Sequence, residues 1–356
     1  MKLHNYIRIL CISAVSSFMI ISSCKKDTIP LVKESGTDSW KLRYPEHFPP
    51  PLYTFRNNPL TQEGFELGRK LFFDTRLSAN NTISCGTCHQ PEAAFAQIGH
   101  DISHGINGHL GTRNSQPIFN MMWNTTFFWD GGSNHIEVQP INPITHPDEM
   151  GNTLEQMVNT LNEVTAYRES FKKIFNKDRI DTEGIMKALA QYMSFMISAD
   201  SKYDKVKTRV PGYQFSQNEE RGYLLFQQHC NSCHTEPLFT DNSFRNNGLA
   251  LINNSKGVID LGRGVVTHLD STSYYKFRVP TLRNLRYTLP FMHDGRYETV
   301  SVVLEHYRNH IQQTPNLDPK LTNGIPLNDG EKDDLLSFLN TLNDENFVAN
   351  PVFRMP

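Results

Sequence analysis

Two copies of a five-residue motif constrain this chain more than any other feature. Residues 85–89 (CGTCH) and 230–234 (CNSCH) both have the pattern C-x-x-C-H. This is the attachment site of a c-type haem, in which both thiols form thioethers and the histidine becomes the proximal iron ligand. A zinc site would more often use a second close Cys or His pair, and a redox-active C-x-x-C pair does not need the histidine. The residues predicted to hold two covalent haem c groups are Cys85, Cys88, His89, Cys230, Cys233 and His234.

The first residues are typical of an export signal. A basic segment precedes the apolar stretch 9–21, which is short for a membrane-spanning helix. The segment 21–24 (ISSC) is similar to a lipoprotein cleavage site. We therefore expect residues 1–23 to be a signal peptide and Cys24 to carry a lipid anchor, with the protein in the periplasm. An ordinary signal peptide with an incidental cysteine is the alternative.

The charge and the cysteine count exclude a nucleic-acid-binding protein and a disulfide-stabilised one. The formal net charge is -2 with both signs interspersed, so the chain lacks the basic footprint of a nucleic-acid-binding protein. Four of the six cysteines belong to the motifs and two to the signal segment, so no disulfide is expected. Residues 24–58 are rich in proline and polar residues, which is typical of a tether and lead-in strap.

The pattern that precedes each motif is repeated. Segments 63–73 and 219–226 both place apolar residues at helical spacing, and each leads through a polar turn into its motif. This predicts the first helix and haem loop of a cytochrome c fold, present twice, in domains 59–207 and 208–356. Strand signals are few, so the predicted class is all-α, with long loops wrapped around haem. Further helices are predicted at 153–163, 165–176, 180–198, 299–310 and 328–341, the last with a capping box from Asn328 to Glu331.

Together with the two motifs, three further segments resemble the bacterial di-haem cytochrome c peroxidases and their MauG-type relatives. They are 113–115 (RNS), 128–131 (FWDG) and 290–296 (PFMHDGR), and the resemblance runs from about residue 58 to 342. It implies that the N-terminal haem, on His89, is the peroxide site, and that the C-terminal haem, on His234, receives electrons. Trp129 matches the tryptophan between the haems; core packing is the alternative role for that indole.

Two polar residues fall at the family's spacing from Trp129. Gln139 and Glu149, ten and twenty residues further on, match positions on the peroxide side of the first haem. A carboxylate in a desolvated pocket can shuttle the peroxide proton, and a neutral amide can hold peroxide or water. Without the resemblance, Glu149 would be interpreted as a loop residue before the helix N-cap Thr153.

The sequence departs from the peroxidase pattern at two axial positions. Ile106 stands where peroxidases have a distal histidine, which implies an open first haem unless His104 or His109 replaces it. Tyr307 stands where peroxidases have a methionine ligand of the second haem, as in MauG-like proteins; Met292 is the alternative ligand. A phenolate ligand lowers the reduction potential, whereas a thioether raises it.

The family also holds calcium between its domains. Asn114 matches the side-chain ligand, and Thr288 and Pro290 match two backbone carbonyl ligands. A turn-capping role is the alternative for Asn114.

The resemblance implies a peroxidase that reduces hydrogen peroxide to water. The electron donor would be a small cytochrome c or cupredoxin. The first alternative is a MauG-like enzyme that oxidises Tyr or Trp side chains of a partner protein through a high-valent state. The second is a non-catalytic di-haem electron carrier. Contact with a membrane is expected only through the lipid anchor, and a homodimer remains open.

Overall fold

Helices and connecting loops make up nearly all of the chain that is described. The computed structural model describes residues 42 and 44–356. In this part of the chain the helices are α1 (Gln62–Phe72), α2 (Cys85–Cys88), α3 (Ile141–Thr145), α4 (Leu154–Asn162), α5 (Thr165–Phe175), α6 (Thr182–Ser194), α7 (Lys202–Lys207), α8 (Gln217–His229), α9 (Arg263–Val266), α10 (Val300–Glu305), α11 (Asp329–Asn340) and α12 (Glu345–Ala349). The described strands, β1 (Phe244–Arg245) and β2 (Phe277–Arg278), form one antiparallel pair. The all-α prediction is therefore confirmed.

Two crossed helix pairs stand next to the two C-x-x-C-H motifs. Helix α1 packs on α6, and α8 packs on α11. Both crossings depend on a glycine at the contact point. A Cβ on Gly68 would lie 2.0 Å from the Ala188 carbonyl oxygen, and one on Gly222 would lie 1.9 Å from that of Asp334. Any side chain at either glycine would force the helices apart, so the duplicated pattern of the sequence has a duplicated packing arrangement.

Each helix pair has its own hydrophobic core. The first core contains α1 and α6 residues such as Phe72 and Leu189, and the second contains Phe226 and Phe338 of α8 and α11. The segment after α11 returns to the first core, where Phe347 packs against Phe95 and Phe119. The domain boundaries stay a prediction.

The predicted helices are confirmed, with differences at their ends. The capping box of Asn328 and Glu331 begins α11. Helix α6 ends at Ser194, earlier than predicted, because the Asn120 backbone N–H and side-chain oxygen bind the Met196 carbonyl and the Ser198 N–H. Helix α10 ends at Glu305 and continues as a π-helical turn over His306–His310. The signal-peptide and Cys24 predictions lie outside the described residues.

None of the helices described for this chain combines the length and the apolar character needed to span a bilayer.

Candidate functional site: two C-x-x-C-H centres

The first motif forms a short helix that presents its histidine to a buried carbonyl. Helix α2 begins with a capping box of Ser84 and Thr87, and His89 ends it. The His89 Nδ1 lies 2.9 Å from the Phe95 carbonyl oxygen. Because a carbonyl only accepts hydrogen bonds, Nδ1 carries the proton and Nε2 keeps its lone pair. Burial lowers the pKa of His89, which keeps the ring neutral. Such a ring is ready to bind a metal.

The second motif repeats this arrangement. The His234 Nδ1 lies 3.2 Å from the Phe239 carbonyl oxygen and 3.1 Å from that of Pro280. Burial lowers the pKa of His234 too. Phe95 and Phe239, whose carbonyls accept these hydrogen bonds, both adopt left-handed backbone conformations, with φ of 61° and 56°. Bulky residues rarely do so, and such positions cluster at functional sites.

A cavity of about 690 Å³, partly open to solvent, adjoins the first motif. Both motif thiols, His89, Gln139 and Glu149 line it, so the structure brings these predicted site residues together. Its remaining lining is mostly apolar: Phe72, Ile83, Ile118, Pro140, Pro143, Met150, Leu189 and Met193, with Ser84, Ser103, His104, Gly105 and Ser115. A cavity that is largely apolar with a few polar groups suits an apolar ligand.

Two polar residues on either side of helix α3, Gln139 and Glu149, line this cavity together with the residues of the first motif. Gln139 is buried, just before α3, and Glu149 follows α3 in a loop held by its own carbonyl, which accepts the Ile106 N–H at 2.8 Å. Burial raises the pKa of Glu149, a nearby His146 lowers it in part, and Asp148 raises it again. The carboxyl group therefore keeps a proton to higher pH than an exposed glutamate.

Of the three residues considered for the distal position, His104 reaches the cavity lining. Ile106 is buried outside the lining, and its side chain packs where a Cβ on Gly151 would lie. The exposed His109 pairs with Asp148 at 3.4 Å instead. The exposed His104 meets the first motif through its backbone carbonyl, 3.9 Å from the Cys88 sulfur, and its ring packs edge-on against His100. This geometry does not test the open-iron prediction.

Both predicted axial candidates of the second centre contact one amide. Asn247 Nδ2 donates to the Met292 sulfur at 3.3 Å, and its side chain also bonds the Tyr307 hydroxyl. Burial raises the pKa of Tyr307 to about 12, and the motif thiols Cys230 and Cys233 add to the effect. Tyr307 lies in the π-helical turn, a feature often found at functional sites. Sequence reasoning missed Asn247, since nothing in the local pattern marks it.

Trp129 lies in a turn that binds both halves of the chain. Its Nε1 donates to the Asn114 carbonyl at 2.9 Å, and its own carbonyl accepts the Arg278 N–H at 2.7 Å. The turn repeats around His293: segments 127–133 and 291–297 are both closed by an antiparallel bridge. Both also have a positive φ at the second residue, 68° at Phe128 and 77° at Met292. Trp129 and His293 therefore occupy equivalent places.

An ion pair network holds the Trp129 turn in place. The Arg113 guanidinium binds Asp130 at 2.6 Å and Asp260 at 2.6 and 2.8 Å. Arg113 and Asp130 come from the first half of the chain and Asp260 from the second. Through Arg113, the network thus ties Asp130, the residue after Trp129, to Asp260 in the second half of the chain.

The predicted calcium ligands lie near this turn. Asn114 is buried, its Nδ2 donates to the Asp101 carbonyl at 2.9 Å, and its backbone N–H donates to the His293 carbonyl at 2.8 Å. This brings Asn114 next to the segment that carries Thr288 and Pro290, both buried. The described residues contain no cluster of three or more His, Cys, Asp or Glu side chains that could hold a metal ion. A cation here would depend on amide and carbonyl oxygens, which is chemistry that suits calcium.

The donor groups fit c-type haem at both centres. Each has two free thiols and one neutral histidine with Nε2 available. Burial raises the pKa of Cys85 and Cys230 to about 12. At the second centre, ligation by Tyr307 would replace its hydroxyl proton with the metal ion.

Comparison with known proteins agrees with this chemistry. Residues 62–210 match the family model of the di-haem cytochrome c peroxidases. The methylamine utilization protein MauG of Methylorubrum extorquens is 33% identical over 315 residues, 86% of this chain and 84% of that protein. The chain belongs to the di-haem cytochrome c peroxidase family. Membership implies two c-type haems and an oxidoreductase that acts on peroxide.

Members of both functional types are similar to this chain. The cytochrome c551 peroxidase of Nitrosomonas europaea is 33% identical over 246 residues, 67% of this chain and 71% of that protein. A crystal structure of a MauG-like protein associated with microbial copper homeostasis has a TM-score of 0.80 and 31% identity, covering 89% of this chain and 99% of that one. The family is thus settled, while the choice between its two activities rests on the residues of the site.

Proposed function

We propose that this protein reduces hydrogen peroxide to water with electrons from a small redox protein, a cytochrome c or a cupredoxin. The observation that carries the proposal is the first cavity, in which Glu149 and Gln139 share one space with His89 and the motif thiols. An electron carrier with two closed haems has no use for a buried acid and amide in such a cavity. Their presence favours catalysis over simple electron transfer.

The cavity residues handle the protons of the reaction. Bound haem would supply an iron that binds peroxide and takes up electrons. Cleaving one peroxide to two waters consumes two protons and two electrons. Glu149 would take the proton from one peroxide oxygen and return it to the other as the O–O bond breaks, and solvent would supply the two further protons; its raised pKa suits both transfers. The Gln139 amide donates a hydrogen bond that holds peroxide in place.

Trp129 is the proposed relay for electrons between the two centres. Its indole N–H and its carbonyl bind residues of opposite halves, Asn114 and Arg278. The Arg113 network keeps the turn from shifting relative to the second half. A rigid aromatic side chain at this position serves electron transfer because its distance to each centre stays constant.

Several wider features belong to the same proposal. Domains 59–207 and 208–356 would each carry one haem, with long loops around it. Calcium at Asn114, Thr288 and Pro290 would fix their relative orientation. The mature protein would be periplasmic and anchored through Cys24.

A MauG-like activity is the second candidate. Tyr307 favours it, because its hydroxyl is buried near the motif residues Cys230 and Cys233. A phenolate ligand there would make the second haem hard to reduce and better suited to sharing oxidising equivalents. The substrate would then be a Tyr or Trp side chain of a partner protein.

Steady-state peroxide consumption with a reduced cytochrome c or cupredoxin tests the first proposal. The di-haem protein should consume peroxide and oxidise two one-electron donors per peroxide. Glu149→Gln should lower this rate by about 10²–10⁴-fold, as expected for loss of a general acid-base. The exposed Glu155 offers a matched control, since Glu155→Gln changes the same group six residues away.

Two results would contradict the proposal. A rate unaffected by Glu149→Gln would remove Glu149 from the reaction. Peroxide-dependent oxidation of a partner protein's side chains, without turnover of any small donor, would favour the MauG-like alternative instead.

A further inference from the structure

A buried arginine without an acidic partner lies between the two halves. Arg278, in β2, is 6% exposed, and burial lowers the pKa of its guanidinium to about 10. Its Nη1 donates to the Asn242 side chain at 3.3 Å, while its Nε is buried and without a hydrogen-bond partner among the described residues. A buried cation with an unused donor is unfavourable unless an anion accompanies it.

A second unused donor belongs to a residue of the same cavity. The Gln116 Nε2 is also buried without a partner among the described residues. Arg278 and Gln116 both line a cavity of about 410 Å³, partly open to solvent. None of the residues that line it is acidic: the others are Pro117, Phe119, Asn120, Asn124, Leu238, Thr240, Pro280 and Thr281. The cavity therefore offers a positive charge and two hydrogen-bond donors that no described residue accepts.

Three other polar side chains of this cavity, those of Thr240, Thr281 and Asn120, are already engaged. Thr240 and Thr281 donate their hydroxyls to the carbonyls of Val279 and Leu238. Asn120 exchanges two hydrogen bonds with Ser198. The Arg278 and Gln116 side chains therefore line a cavity in which neighbouring polar groups are satisfied, while one donor of each has no acceptor among the described residues.

We propose that Arg278 and Gln116 form a binding site for a single carboxylate. A guanidinium fork matches the two oxygens of a carboxylate, and an amide N–H can add a third hydrogen bond. The apolar part of the lining, Pro117, Phe119, Leu238 and Pro280, suits a carboxylate attached to an apolar body. Two sources share this chemistry: a propionate of bound haem and a small free carboxylate.

The position gives the site a role in the proposed function. The Arg278 N–H donates to the Trp129 carbonyl, and Pro280, two residues further on, accepts from the proximal His234. On the other side, Ser115 and Ile118 line the first cavity while Gln116 and Pro117 line this one. A carboxylate here would offset a buried positive charge beside the relay residue and both centres.

This inference shares one requirement with the proposed function, namely that both haems are bound. It does not require peroxide turnover, so an inactive protein could still contain the site. The test therefore measures haem potentials and structure rather than activity.

Spectroelectrochemical titration of the di-haem protein tests the site. Arg278→Gln should shift at least one haem reduction potential negative, because a positive charge stabilises the reduced haem. The reduction potential should also become more dependent on pH, because the carboxylate loses its positively charged partner and then takes up a proton more readily. Arg278→Lys should restore part of the shift. Arg263→Gln is the control, since that guanidinium donates to the Asp130 and Gly131 carbonyls of the Trp129 turn and lies over the Phe244 ring, outside the proposed site.

Added acetate separates the two sources. With a haem propionate in the site, the wild-type potentials should not respond to acetate, and the Arg278→Gln shift should be the same with and without it. With a free carboxylate, acetate should shift the wild-type potentials saturably and leave Arg278→Gln unaffected. Potentials and acetate response that are unchanged in Arg278→Gln would overturn the proposal.

A crystal structure of the wild-type di-haem protein tests the site even if the variant does not fold. It should place a carboxylate oxygen within hydrogen-bond distance of the Arg278 Nε. A site that holds only water, in crystals grown with acetate, would refute the inference.

Discussion

Asp204→Asn should be among the most destabilising single substitutions in the second half of the chain. The Arg283 guanidinium has no exposed surface and binds both oxygens of Asp204, at 2.7 and 2.8 Å. Burial alone would raise the pKa of Asp204, but Arg283 outweighs it and holds that pKa well below the usual range. Arg283 also donates to the Pro237 carbonyl at 2.7 Å, close to Phe239, which orients His234.

The structure sets the size of the effect. Asparagine keeps the shape of the side chain but leaves the Arg283 charge buried and unpaired. Removing one partner of a buried ion pair costs about 3–5 kcal/mol of unfolding free energy. Asp334 provides a matched control, because its pair with Arg221 has the same two-point geometry, at 2.6 and 2.8 Å, with the arginine side chain 54% exposed. Exposed pairs contribute about 0–1 kcal/mol.

Denaturant unfolding of the di-haem variants at pH 7 measures both values. Equal losses for Asp204→Asn and Asp334→Asn would refute the reasoning. The pH dependence supplies a second check. Since the folded pKa of Asp204 is depressed, its contribution is present above the unfolded value, about 3.9, and is lost as the pH falls through the folded value. The gap between wild type and Asp204→Asn should therefore narrow only below about pH 4.

Three further outcomes are expected. In the wild type, the acidic limb of the pH profile of kcat/KM should lie above pH 4.3, the ordinary pKa of glutamate, because burial raises the pKa of Glu149. Glu149→Gln should remove this limb. An acidic limb that persists in the variant would belong to another group. Tyr307→Phe should change the optical spectrum of the second haem and leave peroxide binding at the first intact, whereas two unchanged spectra would favour Met292 as ligand. Exhaustive chelation of calcium should lower activity reversibly, and Asn114→Ala should weaken recovery on re-addition; full activity without the metal would contradict the calcium site.

Local patterns explain most of what could be predicted from the sequence. The C-x-x-C-H motifs, the amphipathic helices and the capping box of α11 depend on residues within a few positions of one another, so their spacing is visible in the chain. The repeat also anticipated two equivalent helices, α1 and α8, although the role of Gly68 and Gly222 at the crossings appears only once their partner helices are in place.

Contacts between distant segments could not be predicted in this way. Asn247 meets Tyr307 from sixty positions away, and the segment around Phe347 packs against Phe95 from the opposite end of the chain. Such contacts leave no periodicity in the sequence. The same holds for His104, since spacing pointed to position 106 while the loop geometry brings position 104 to the cavity lining.

Rapid mixing of the fully ferric di-haem protein with hydrogen peroxide tests the central claim most directly. If the first cavity is the reaction site and its iron is open, the haem spectrum should change at once, without prior reduction, and Glu149→Gln should slow this change by about 10²–10⁴-fold while Glu155→Gln does not. A reaction that begins only after one-electron reduction would mean that His104 or another group closes the iron. An equal rate in wild type and Glu149→Gln would contradict the assignment of peroxide chemistry to this cavity.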